Sequence, residues 1–139
     1  MEKRIVDTCV VSYLLKQHSL APQYHLLLED KLLSISFMTA AELYRWTIER
    51  HWGEKRIKQL EETIQKYVVL PSDDEICRYW AKMRSIKGKP ISDSDAWIAA
   101  TARRYDIPLV THNVKHFEHL QALGLNIITV HPEPEKQRT

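Results

Sequence analysis

The chain has 139 residues, 44% of them hydrophobic and 27% charged, with a net charge of +2. That is one domain's length and an ordinary globular composition; it excludes disorder and is too weakly basic to imply nucleic-acid binding by charge alone. Two well-separated cysteines, Cys9 and Cys77, exclude a disulfide framework and a cysteine-based zinc site.

Arg4-Ile5-Val6 is a β-branched apolar run, and predicts a buried strand over Lys3–Asp7. Cys9–Lys16 has helical spacing, with Val10, Tyr13 and Leu14 on one face. Pro22 suits the first turn of a second helix that continues toward Asp30. Leu32–Ser36 reads as a second strand. Thr39-Ala40-Ala41-Glu42 fits a capping box and predicts a helix from Thr39 to about Arg50. Gly53 separates it from a charged helix, Glu54–Lys66. Tyr67–Leu70, stopped by Pro71, is a third strand. Ser72-Asp73-Asp74-Glu75 is another capping box, opening a helix to about Ile86. Lys87–Ile91 contains a Gly and a Pro and is a loop. Ser92 caps a helix over Asp93–Tyr105. Leu109–Thr111 is a fourth strand, Val114–Leu123 a short helix stopped by Gly124, and Ile127–Val130 a last strand. The polar stretch 132–139 reads as a tail to a domain spanning 1–131. No apolar run reaches the ~18–20 residues of a membrane span, and no signal-peptide core is present, so a cytoplasmic location is expected.

Strands that alternate with helices and are apolar on both faces predict a parallel sheet of four to five strands covered by helices on both sides. In such a sheet the strand C-termini and the helix N-termini share one rim, where ligands bind. Asp7 ends the first strand, Glu42 lies in the first turn after the second, Asp93 and Asp95 open the helix before the fourth, and Asn113 follows the fourth. Each has a plain structural reading. Glu42 completes a capping box, Asp93 and Asp95 complement a helix dipole, Asn113 is a turn residue, and Asp7 can make an Asx turn. None of these explains why all converge on one rim. Clustered carboxylates repel unless a cation or protons neutralise them, and oxygen ligands select hard cations such as Mg²⁺ or Mn²⁺. Such a site suits phosphodiester hydrolysis.

The stretches IVDTCVVSYLL at 5–15, SFMTAAELYRW at 36–46, ISDSDAWIAATARRYDIPLVTHNVKHFEHL at 91–120 and GLNIITV at 124–130 together resemble the PIN-domain ribonucleases, most closely the VapC-type toxins of toxin–antitoxin pairs. The resemblance implies a three-layer α/β/α sandwich and a metal-dependent endoribonuclease leaving 5′-phosphate and 3′-hydroxyl ends. By position, Asp7, Glu42 and Asp95 match the family's first three acids, with Asp7 and Asp95 as metal ligands. Asn113 stands at the fourth position, often Asp in the wider family; an amide lacks that charge, and Asp93 is an accessory candidate for supplying it. Thr8 and Thr111 are candidates to hold the carboxylates. The resemblance further implies RNA as substrate, a homodimer, and a small antitoxin that places an Arg or Lys among the acids. A stand-alone RNA-processing enzyme and a catalytically silent binding module are the alternatives within the family.

Lys82, Arg84, Lys87 and Lys89 precede the Asp93–Asp95 turn, and Arg45 follows Glu42; each reads as a solvated charge or an RNA contact. His112, His116 and His119 lack the companions of a zinc site. Trp46, Trp52, Trp80 and Trp97 read as core or interface residues. A receiver module would need a phosphoacceptor Asp after the third strand, where Pro71-Ser72 stands. A haloacid-dehalogenase-like phosphatase would need Asp where Cys9 stands.

Overall fold

A computed structural model describes residues 1–130; the polar tail over 132–139 lies outside the described residues. The elements are β1 (Lys3–Val6), α1 (Thr8–Lys16), α2 (Ala21–Leu28), β2 (Leu32–Ser36), α3 (Phe37–Glu49), α4 (Glu54–Ile64), β3 (Val68–Leu70), α5 (Asp74–Arg84), α6 (Asp93–Tyr105), β4 (Leu109–Val110), α7 (Val114–Phe117), a 3₁₀ turn over Glu118–Leu123, and β5 (Ile127–Ile128). All strand pairings are parallel and the order is β3-β2-β1-β4-β5. Two helices separate each of the first three strands from the next strand in sequence. The order also departs from that of a flavodoxin-like receiver.

The three layers follow from the two-residue period of a strand. Ile5 pairs in register with Leu109, and Val6 with Val110. Ile5 and Leu109 join Ile76, Met83, Ile98, Ala99 and Phe117 in a core under α5 and α6. Val6 and Val110 join Val10, Tyr24, Ile35, Leu43 and Leu60 in a second core under α1 to α4. Both faces of the central strands are therefore dry, which explains their continuous apolar runs. Truncating Ile5 or Val6, both fully buried, would leave a cavity costing about 2–5 kcal/mol.

The helix starts correct two expectations. Ser36, not Thr39, caps α3, its hydroxyl accepting from the Thr39 amide at 3.0 Å. Asp73, not Ser72, caps α5, accepting from the Ile76 amide at 2.8 Å. In both cases the chain holds two capping residue types near the start, and the strand exit geometry selects between them. Ser92 caps α6 as expected, accepting from the Asp95 amide at 3.1 Å. Several elements end earlier than expected, among them β1 by Val6, α4 by Ile64, β4 by Val110 and β5 by Ile128. The expected helix over Val114–Leu123 is a single α-turn followed by 3₁₀ geometry, and Gly124 stops it at φ +95°.

Candidate active site

The strand order creates one crevice. From β1 the chain steps outward through β2 to β3, then returns to the opposite side of β1 as β4. Connections leave β1 and β4 in opposite directions, and the C-terminal ends of these strands flank the switch point where open α/β sheets bind ligands. Asp7 and Thr111 stand there, one residue past each strand.

Asp7 does not extend β1; it caps α1, with Oδ1 accepting from the Thr8 amide at 2.8 Å. Its Oδ2 accepts from the Thr111 hydroxyl at 2.6 Å and the Cys9 thiol at 3.2 Å. Only 3% exposed, the carboxyl is pushed above its ordinary range, chiefly by burial and further by the Asp95 charge, against the pull of its hydrogen bonds. The Cys9 thiol is pushed up to about 12 by burial and by Asp7, so at neutral pH it is a protonated donor. Cys9 was not singled out in this role from the sequence, since a lone cysteine after an acid carries no motif.

Glu42 is half-buried in the second turn of α3. Its Oε1 accepts from the Thr8 hydroxyl at 2.8 Å, and the Thr39 hydroxyl lies 3.0 Å from that of Thr8. The capping role open to Glu42 in the sequence is thus taken from it when Ser36 becomes the cap. Burial raises its carboxyl first, and the charges of Asp7 and Asp95 raise it further; Arg45 opposes them weakly. Asp95 opens α6 and turns its Oδ2 to His116 Nδ1 at 3.1 Å. Its neighbour Asp93 faces outward, paired with Arg84 at 2.7 Å and 69% exposed. Asn113, exposed at the start of α7, donates its amide to the Thr111 hydroxyl at 3.1 Å.

The basic candidates divide. Arg84 is occupied by Asp93 and the Ile91 carbonyl. Arg45 pairs with Glu49 at 3.1 Å on the exposed face of α3. Lys82 lies 5.7 Å from the Tyr79 ring, while Lys87 and Lys89 are exposed in the loop before α6. The histidines do not converge: His112 Nδ1 meets the Tyr24 hydroxyl at 2.7 Å, His116 meets Asp95, and His119 Nε2 is buried without a partner. Trp80 and Trp97 stack at 4.7 Å, and Trp46 and Trp52 each lie under an arginine.

The site is therefore acidic and uncompensated. None of the lysine or arginine ion pairs among the described residues involves Asp7, Glu42 or Asp95. Nor do three His, Cys, Asp or Glu side chains close on one point there. This donor set fits a hard divalent cation held by one or two carboxylates and keeping much of its water.

Comparison with known proteins identifies the family of this fold. The PIN-domain family profile matches residues 4–123. Ribonuclease VapC1 of Haemophilus influenzae strain R2866 is 32% identical over 124 residues, 86% of this chain and 92% of that protein. The VapBC-1 structure from nontypeable H. influenzae superposes with a TM-score of 0.75 at 30% identity, covering 91% of this chain and 96% of that one. VapBC-5 from Mycobacterium tuberculosis, of the VapBC family of toxin–antitoxin systems, gives 0.67 at 25% identity, covering 94% and 100%. The chain belongs to the PIN-domain family and groups within it with the VapC proteins.

Proposed function

We propose that the chain is the toxin of a toxin–antitoxin pair, a divalent-metal-dependent endoribonuclease acting through Asp7, Glu42 and Asp95. The observation that carries this reading is a buried Asp7 at the sheet's switch point, within the fields of two further carboxylates and paired with no cation. Asp7 and Asp95 would hold Mg²⁺ or Mn²⁺. The bound ion would stabilise charge on the phosphoryl oxygens and lower the pKa of the attacking water.

The chain's own groups do the rest. Thr111, Cys9 and the Thr8 amide fix both oxygens of Asp7, so its orientation is set before substrate arrives. Thr8 fixes one oxygen of Glu42, leaving the other to orient the attacking water and accept its proton. Its raised pKa makes Glu42 a better base than an ordinary carboxylate. An in-line attack breaks the bond to the 3′-oxygen and leaves 5′-phosphate and 3′-hydroxyl ends. The partner is a small antitoxin that brings a guanidinium or ammonium group to the three acids.

Purified protein supplied with Mg²⁺ or Mn²⁺ is expected to cut RNA, and expression without an antitoxin to arrest growth. Asp7→Asn, Glu42→Gln and Asp95→Asn should fold normally and lose cleavage by at least about a hundredfold. Wild-type cleavage by Asp7→Asn protein in chelator would overturn the mechanism. Full activity with no effect on growth would leave the nuclease and remove the toxin.

A further inference from the structure

Thr8 and Glu42 tie α1 to α3 at the catalytic rim. One helical turn further along the same faces stand Ser12 and Trp46, each four residues on. Beyond them a small pocket opens between α1, α3 and α4, lined by Ser12, Leu15, Lys16, Trp46, Trp52, Arg56 and Gln59. No carboxylate lines it. The Arg56 guanidinium lies 4.0 Å from the centre of the Trp52 ring, and that of Arg50 lies 4.5 Å from Trp46. Ser12 is 6% exposed.

The chemistry is that of a nucleic-acid backbone contact: cations for a phosphate, set on flat rings, beside a hydroxyl donor. Arginines laid on indoles are held in place at an exposed site, which reduces the entropy lost when they bind. With a rise of 1.5 Å per residue, Lys16 lies roughly 12 Å along α1 from Thr8. That separation places the pocket beside a neighbouring nucleotide, not the one being cut. We propose that this pocket is a subsite for single-stranded RNA flanking the scissile phosphodiester, with Lys16 and Arg56 on the phosphate and Trp52 holding the Arg56 guanidinium in place. The inference rests on the nuclease reading only for its position along the strand.

The test is binding of short, random-sequence single-stranded RNA, followed by fluorescence anisotropy with chelator present so that nothing is cut. The double variant Lys16→Ala/Arg56→Ala should bind about tenfold more weakly, and its dependence on salt should flatten by about 1–2 in log–log slope. Both residues are exposed, so the fold should be unaffected. Trp52→Ala should weaken binding and Trp52→Phe should restore it. In cleavage assays the double variant should raise KM and leave kcat unchanged. Unchanged RNA affinity and salt slope would overturn the proposal, as would a double variant that binds RNA normally and fails only to bind an antitoxin. Wild-type protein that binds RNA through these residues and cuts none would retain the subsite and refute the nuclease.

Discussion

At the residue scale, the two aspartates of the ISDSDAW turn have different environments. Asp93 neutralises Arg84 at the surface, whereas Asp95 lies one turn before Ile98 and Ala99, which face the sheet, and acts on both Asp7 and Glu42. Titration calorimetry with Mn²⁺ should therefore show a large loss of affinity for Asp95→Asn and a small one for Asp93→Asn. The reverse order would exchange their roles. Asp7 carries a second prediction. Its folded-state pKa is raised, so the contribution to stability is full below the unfolded value near 3.8 and is lost as pH rises through the folded one. Above that folded value the charged carboxylate burdens the metal-free fold. Asp7→Asn keeps an oxygen for the Thr8 amide and removes that charge. Metal-free Asp7→Asn protein should gain stability relative to wild type as pH rises, with the difference shrinking toward pH 4. Added Mn²⁺ should stabilise wild type selectively. Thermal melts across pH check this, and equal melts at every pH would contradict it.

At the element scale, the short pieces near the C-terminal end of the described chain depend on single residues. The 3₁₀ turn ends at Gly124, whose φ of +95° disfavours any side chain. A Cβ there would stand 2.6 Å from Arg103 Nε, which itself donates to the Leu123 carbonyl at 2.8 Å. Gly124→Ala should cost about 1–2 kcal/mol, from backbone strain and displacement of that guanidinium. Urea denaturation should show the midpoint falling with an unchanged m-value. No change in midpoint would mean that the turn relaxes freely. Arg84 plays a comparable part before α6. By bridging Asp93 and the Ile91 carbonyl it ties down the loop that delivers Asp95.

At the scale of the whole molecule, the tryptophans no longer suggest an interface, because each packs within the chain. The apolar surface lies elsewhere. Tyr44 and Ile48, one turn apart on α3, are 46% and 75% exposed. A homodimer buried on this face is our expectation, with light scattering giving twice the 16.4 kDa of the chain. Ile48→Lys should return it to monomer without loss of fold. A monomeric wild type at micromolar concentration would refute the dimer. No described helix is long and apolar enough to cross a membrane.

The sequence by itself determined the parallel α/β architecture and the order of its elements, and it nominated the acids of the strand-end rim. Those follow from local signals: two-residue and helical periodicities, Gly and Pro punctuation, and the rule that strand ends and helix starts share an edge. The family likeness carried by IVDTC, TAAELY, DAWIAATA and THNVKHF rests on the same local strings. Only the tertiary structure decided what each polar group faces. Ser36 displaced Thr39 as a cap, which released Glu42 to meet Thr8, a residue 34 positions away. Thr111 reached Asp7 across 104 positions, and Arg84 claimed Asp93. A carboxylate next to a helix start can satisfy a backbone amide or a distant hydroxyl at similar energy. The choice between them is made by the packing of the strands beneath, which no local window of sequence contains.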